Sequence, residues 1–152
     1  MNHITDDQQL RALLDTLSAD RQRAIGARFA HSVASLCADP RLVRLLELAI
    51  APDLTPAERT EAFKTARSIA VASYAACGSD ADCDAQAEHF VAAACTAALT
   101  PDDQINATQN PAWKAAIQAR MARNCHMIGS DSADLDNEAA RQYAIALEFI
   151  SA

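Results

Sequence analysis

The sequence predicts an all-α fold: one alanine-rich helical bundle of about seven helices, spanning residues 1–152 as a single domain. Three observations predict it. Thirty-six of the 152 residues are alanine, the best helix former because it loses no side-chain entropy in a helix. Strand-forming runs are almost absent. Recognisable caps bound apolar segments of helix length.

The elements follow in order. The first helix is predicted from about Asp6 to Leu17, capped by Thr5, with Leu10, Leu13, Leu14 and Leu17 facing inward. The second starts after Ser18 and runs to about Cys37, with Ile25, Phe29, Val33 and Leu36 as its stripe. The third opens on Asp39-Pro40, a cap followed by proline at the first helical position, and stops at Pro52. The fourth has the clearest start. Thr55, Pro56 and Glu58 form a capping box, and Gly78 supplies the left-handed stop after Cys77.

The fifth helix is predicted from near Asp80 to Leu99, antiparallel to the fourth, with Cys83, Ala87, Phe90, Val91, Ala94, Cys95 and Ala98 inward. A polar loop over 100–109 follows. Asn110-Pro111 opens the sixth, whose inward face is read as Trp113, Ile117, Met121 and Ile128. The seventh runs from about Ala133 to Ile150, showing Leu135, Ala139, Tyr143, Ala146, Phe149 and Ile150.

By the lines AERTEAFKTARSIAVASYAA, from residue 57, and NPAWKAAIQARMARN, from residue 110, the segment 55–123 resembles alanine-rich, all-helical bacterial immunity proteins. The resemblance covers under half of the chain and rests on alanine spacing. It implies a helical fold and a role as an inhibitor-type binder.

Charge is unevenly placed. Residues 1–76 carry nine acids and nine bases, whereas residues 77–152 carry eleven acids and four bases, so the whole net charge of −7 lies in the second half. An acidic surface disfavours nucleic-acid phosphates and suits a basic protein partner. Asp80, Asp82, Asp84, Asp102 and Asp103 are the candidate partner-binding residues. No apolar run reaches the roughly 18 residues of a membrane span. Residues 1–7 lack a basic region followed by an apolar stretch, so a soluble, cytoplasmic protein is expected.

Five cysteines in such a chain are expected to be reduced. Cys77, Cys83, His89 and Cys95 are spaced six apart. On one helix, six residues turn neighbours about 120° apart, and Cys83 and Cys95 stand about 18 Å apart along the axis. These four cannot meet on one ion. Cys77 and Cys83 flank the predicted turn, and Cys125-His126 ends the sixth helix. These four residues form the alternative reading, a metal-binding or redox-regulated site. Asp80, Asp82 and Asp84 imitate the start of a calcium loop. Ala85 and Val91 stand where that loop needs glycine and glutamate.

No phosphate loop, Glu-x-x-His pair or nucleophile elbow is present. His31 has no carboxylate spaced to orient it, and His89 is read as projecting away from the buried face. The arginines are expected to pair internally with acids. No cofactor is expected. The function expected is that of a small helical accessory protein acting by surface recognition, with a bacterial inhibitor or immunity-type binder as one version. An enzyme with a pocket built from distant residues is the remaining option.

Overall fold

The structure, a computed structural model, describes residues 3–76, 83–106, 108–130 and 137–151. Side chains at 74–76, 83–84 and 129–130 lie outside the described set. Among the described residues there are seven α-helices and no strand: α1 (Asp7–Asp15), α2 (Ala19–His31), α3 (Pro40–Ala49), α4 (Pro56–Ala76), α5 (Cys83–Ala98), α6 (Pro111–Ser130) and α7 (Glu138–Ser151). Short 3-10 turns cover Ala34–Leu36 and Asp102–Gln104.

Local chemistry sets most helix starts. At α4 the Thr55 N–H donates to Glu58 Oε1 (3.0 Å), and the Glu58 N–H donates to Thr55 Oγ1 (3.2 Å). This is the reciprocal capping box. Asp39 Oδ1 accepts from the Arg41 N–H at 2.9 Å, and Asn110 Oδ1 accepts from the Ala112 N–H at 2.9 Å. At α1 the cap is Asp6, not Thr5. Asp6 Oδ1 accepts the Gln9 N–H (2.8 Å), while the Thr5 N–H and hydroxyl donate to Gln9 Oε1. Asn137 caps α7, its Oδ1 accepting the Ala140 N–H at 3.0 Å. Leu135, expected inside that helix, lies outside the described residues.

Helix α2 ends at His31 rather than near Cys37. The physical reason is tertiary. The Ser32 hydroxyl donates to Glu138 Oε2 at 2.7 Å, and Arg123 Nη2 donates to the Ser32 carbonyl at 3.4 Å. An arginine thus takes up a carbonyl that further helix would have used.

At the centre, α5 and α6 pack along their lengths, with α2 lying across both. Ala27, Ala97, Ala98 and Ala115 meet where the three helices come together. Around this contact, one apolar cluster joins α3, α4 and α5 through Leu42, Leu46, Phe63, Ile69, Val91 and Cys95. A second joins α1, α2, α6 and α7 through Leu10, Leu14, Ile25, Phe29, Ala112 and Ala146. Helix α4 runs antiparallel to α5. His89 meets Ala70 and Ser73 late in α4, while Phe63 and Thr96 line one cavity at the other end. Phe63, Ile69 and Val91 are buried as expected, and Phe90 is half-buried.

Helix α6 reverses the expected face. Its buried residues are Ala112, Ala115, Ala116, Ala119 and Ala122, while Met121 is 41% and Ile128 is 74% exposed. Trp113 and Ile117 are half-buried. At about 100° per residue the alanine face and the Trp113–Ile128 stripe stand on roughly opposite sides of the helix. Close contact with α5 and α2 selects the small face for the core. Gly26 of α2 marks the tightest approach: a Cβ there would sit 3.3 Å from Ala112 Cα and 3.5 Å from Ala115 Cβ.

Candidate functional site

Of the acidic residues singled out by the sequence, Asp84 stands at the start of α5, and Asp102 and Asp103 follow its end. Asp102 and Asp103 lie in the 3-10 turn after α5, and both are exposed. Asp102 already has a partner, since its Oδ1 accepts from Arg23 Nη1 at 2.6 Å. Asp80 and Asp82 lie outside the described residues. Asp84 stands in the first turn of α5, its side chain outside the described set. Sixteen residues of helix separate these ends by about 24 Å. One compact surface therefore cannot use both groups.

Of the alternative set, Cys77 lies outside the described residues, and the Cys83 side chain with it. Cys125 is buried, and its thiol points to Gln86 Oε1 at 3.8 Å; His126 beside it is half-buried. Among the described residues no three His, Cys, Asp or Glu side chains come together as metal ligands.

Cys37 and Cys95 are held as thiols. Burial, with Glu88 and Asp39 nearby, pushes Cys37 up to about 11. Burial, with Cys37 close by, pushes Cys95 up to about 12. Cys95 is buried as expected, whereas Cys37 is only half-buried and donates to the Ala34 carbonyl at 3.2 Å.

His89 does not project away from the packed face. Its Nδ1 lies 2.9 Å from the Ala70 carbonyl and 3.1 Å from Ser73 Oγ. A carbonyl oxygen only accepts, so Nδ1 carries a proton. It therefore cannot take one from Ser73, whose hydroxyl donates to Ala70 at 3.0 Å. The pair is a brace between α4 and α5, not a nucleophile with its base. His31 does have a carboxylate: Glu47 Oε1 of α3 lies 3.2 Å from its Nε2. Sixteen residues of separation kept that contact out of any local pattern.

Internal arginine pairing is extensive. Arg120 forks onto Asp7, Nη1 to Oδ2 at 2.9 Å and Nη2 to Oδ1 at 2.8 Å, while its Nε donates to Gln142 Oε1 at 2.8 Å. The Tyr143 hydroxyl donates to Asp7 Oδ1 at 2.7 Å, and buried Gln142 donates to the Ala116 carbonyl at 2.9 Å. This network fixes α1 and α7 to α6. The Arg120 hydrogen bond holds the Asp7 carboxyl below its ordinary range, against the opposing effect of burial. A second network centres on Glu138, 4% exposed, which accepts from Arg123 Nε (3.1 Å), Arg141 Nη1 (3.2 Å) and the Ser32 hydroxyl (2.7 Å). Apart from the Glu138–Arg141 pair, three residues apart within α7, the partners are drawn from different helices, so residue spacing did not point to either network.

The outward stripe of α6 borders an open groove of about 680 Å³, lined by Trp113, Ile117, Arg11, Lys114, Asn106 and Gln109 among others. The Arg11 and Arg120 guanidinium groups lie over the Trp113 ring, 5.0 and 5.3 Å from its centroid. No helix among the described residues is long and apolar enough to cross a membrane.

Comparison of the chain with protein-family models, with curated proteins and with solved structures gives no match. The likeness of residues 55–123 to immunity proteins therefore stands on those sequence lines alone.

Proposed function

We propose that this chain is a small helical interaction protein that recognises a basic protein partner through one end of its bundle. The observation that carries the reading is Ile128, a large apolar side chain 74% exposed near the end of α6. Met121, 41% exposed, continues the same stripe. The contact of Cys125 with Gln86 sets the last turns of α6 against the first turn of α5. Asp84 stands in that first turn, and Asp80 and Asp82 precede it in the sequence. Protein interfaces join an apolar centre to a polar rim, and in this reading the three aspartates supply the rim for Ile128. Asp102 and Asp103 belong to the other end and take no part in this contact. A bacterial inhibitor or immunity-type binder is one concrete form of the reading. Nucleic acid is a poor partner for a chain of net charge −7.

The test starts from reduced, full-length protein used as bait in lysate of its source organism. A captured protein is purified, and its association is followed at about 20 mM and about 150 mM salt. Association with a basic partner slows several-fold at the higher salt. Changing Asp80, Asp82 and Asp84 together to asparagine slows it further, and Ile128→Ser speeds dissociation. A partner whose rates ignore salt and all of these substitutions would refute the reading.

A further inference from the structure

At the other end of the bundle the surface holds chemistry that this interaction does not use. A cavity of about 630 Å³ opens between the end of α3, the start of α4, the end of α5, α2 and Phe149 of α7. Its size falls within the usual range of ligand pockets, about 300–1,000 Å³. Ile50, Leu54, Leu99 and Phe149 supply apolar wall. Ile50 is a large apolar side chain left 39% exposed.

Three arginines line the cavity: Arg23, Arg28 and Arg59. Arg23 is 4% exposed, and its Nη1 and Nη2 are both engaged, while its buried Nε has no hydrogen-bond partner among the described residues. It donates to the Thr100 carbonyl, to Asp102 and to Asp20. Asp20 and Asp102, the two carboxylates that line the cavity, are thereby taken up. Arg28 and Arg59 have no carboxylate partner among the described residues. The Arg28 guanidinium instead lies over the Phe149 ring, 5.5 Å from its centroid. The lining thus carries three guanidinium groups and two carboxylates, a surplus of one positive charge against an apolar wall.

We propose that this cavity binds an amphipathic carboxylate, an apolar tail ending in one anionic head. The planar guanidinium fork matches a carboxylate and is less hydrated than an ammonium, so it accepts such a head beside apolar surface. A neighbouring hollow shares Arg28 and Ile50 and continues past His31 and Ile145 to Glu148. The Glu148 carboxylate repels an anionic head. The head therefore sits on the Arg59 side, and the tail runs over Leu54 and Ile50 towards Phe149. The protein's overall negative charge repels anions elsewhere, so only a local cationic surplus can hold one. This site lies at the opposite end of α5 from Asp84, and its test is independent of the partner interaction.

The experiment is titration of the full-length protein with octanoate, followed by calorimetry and by amide NMR shifts. Octanol and acetate, each offering half of the chemistry, are titrated alongside. The expected result is saturable one-to-one binding of octanoate, at least about tenfold tighter than either control, a gap of about 1.4 kcal/mol. The shifts should centre on Ile50, Arg59 and Phe149. Arg59→Gln should weaken octanoate at least about fivefold without lowering the thermal midpoint, and Ile50→Asp should weaken it as well. Octanol binding as tightly as octanoate would overturn the proposal. So would unsaturable binding, shifts centred elsewhere, or an Arg59→Gln variant that binds like the parent.

Discussion

Asp7 shows how much one side chain can tie together. Its two oxygens receive the Arg120 fork and the Tyr143 hydroxyl, so three helices meet on one carboxylate. Because the Arg120 bond lowers its pKa in the folded state, Asp7 stabilises the fold only when ionised. The contribution is complete above the ordinary value of 3.8 and is lost as pH falls through the lower folded value. Tyr143 has the opposite sign. Burial, then its bond to Asp7, raises its pKa, so its share is complete below 10 and fades at higher pH. Urea midpoints measured from pH 7 down to about pH 2 should fall through the acid range. Asp7→Asn should start lower at pH 7 and lose less between about pH 4 and 2. Parallel curves for the two proteins would show that the carboxylate contributes nothing in its charged form. Cys37 and Cys95 make a contrasting point at the same scale. Raised to about 11 and about 12, their thiols stay protonated at neutral pH, so they serve as packing groups.

Among the helices, α6 carries the clearest lesson. Its alanine face packs on α5 and α2, and the approach is closest at Gly26. Gly26→Ala gains about 0.5–1 kcal/mol of helix propensity. The new methyl would stand 3.3 Å from the Ala112 backbone, which cannot swing aside as a side-chain tip can. A net loss of about 1 kcal/mol is expected for Gly26→Ala, and about 2–3 kcal/mol for Gly26→Val, both read from urea unfolding. A stabilised Gly26→Ala would mean that α2 and α6 part freely. Helix starts were legible in the sequence because caps are local: Asp39-Pro40, the Thr55–Glu58 box and Asn110-Pro111 all hold. The face of α6 was not. Periodicity assigns the large apolar stripe to the core, but close packing buries the alanines, and alanine recurs on too many sides of these helices to mark a face. Asp6 displaced Thr5 as a cap because two adjacent residues could each serve. The Asp7–Arg120–Tyr143 contact was illegible for another reason, since its members are 113 and 136 residues apart. Of the candidate site, Asp102 was legible as an exposed acid but not as the partner of Arg23, again a contact between distant segments.

Across the whole molecule, stability should be graded from centre to edge. Helix α5 is enclosed by α2, α3, α4 and α6, and Ala87, Val91, Ala92, Ala94, Cys95, Ala97 and Ala98 are all buried. Helix α1 sits at the margin. Its hold on the bundle is Leu10 and Leu14, the preceding Ile4, the Asp7 network and the Asn110 amide on Asp15 at 3.0 Å. Elements with few buried contacts open locally at lower free energy than the global transition. Native-state amide exchange should therefore show α5 and the alanine face of α6 exchanging only through global unfolding. The α1 amides should exchange earlier, by a separate opening that urea barely promotes. Arg120→Met removes the fork on Asp7 while keeping the length of the side chain. It should lower α1 protection by about 1–3 kcal/mol, the cost of losing charged hydrogen bonds. If α5 protection in that variant fell by the same amount, α1 would belong to one cooperative unit with the core. If it stayed higher, α1 would be a separable strap on a bundle whose lasting structure is the close contact between α5 and α6.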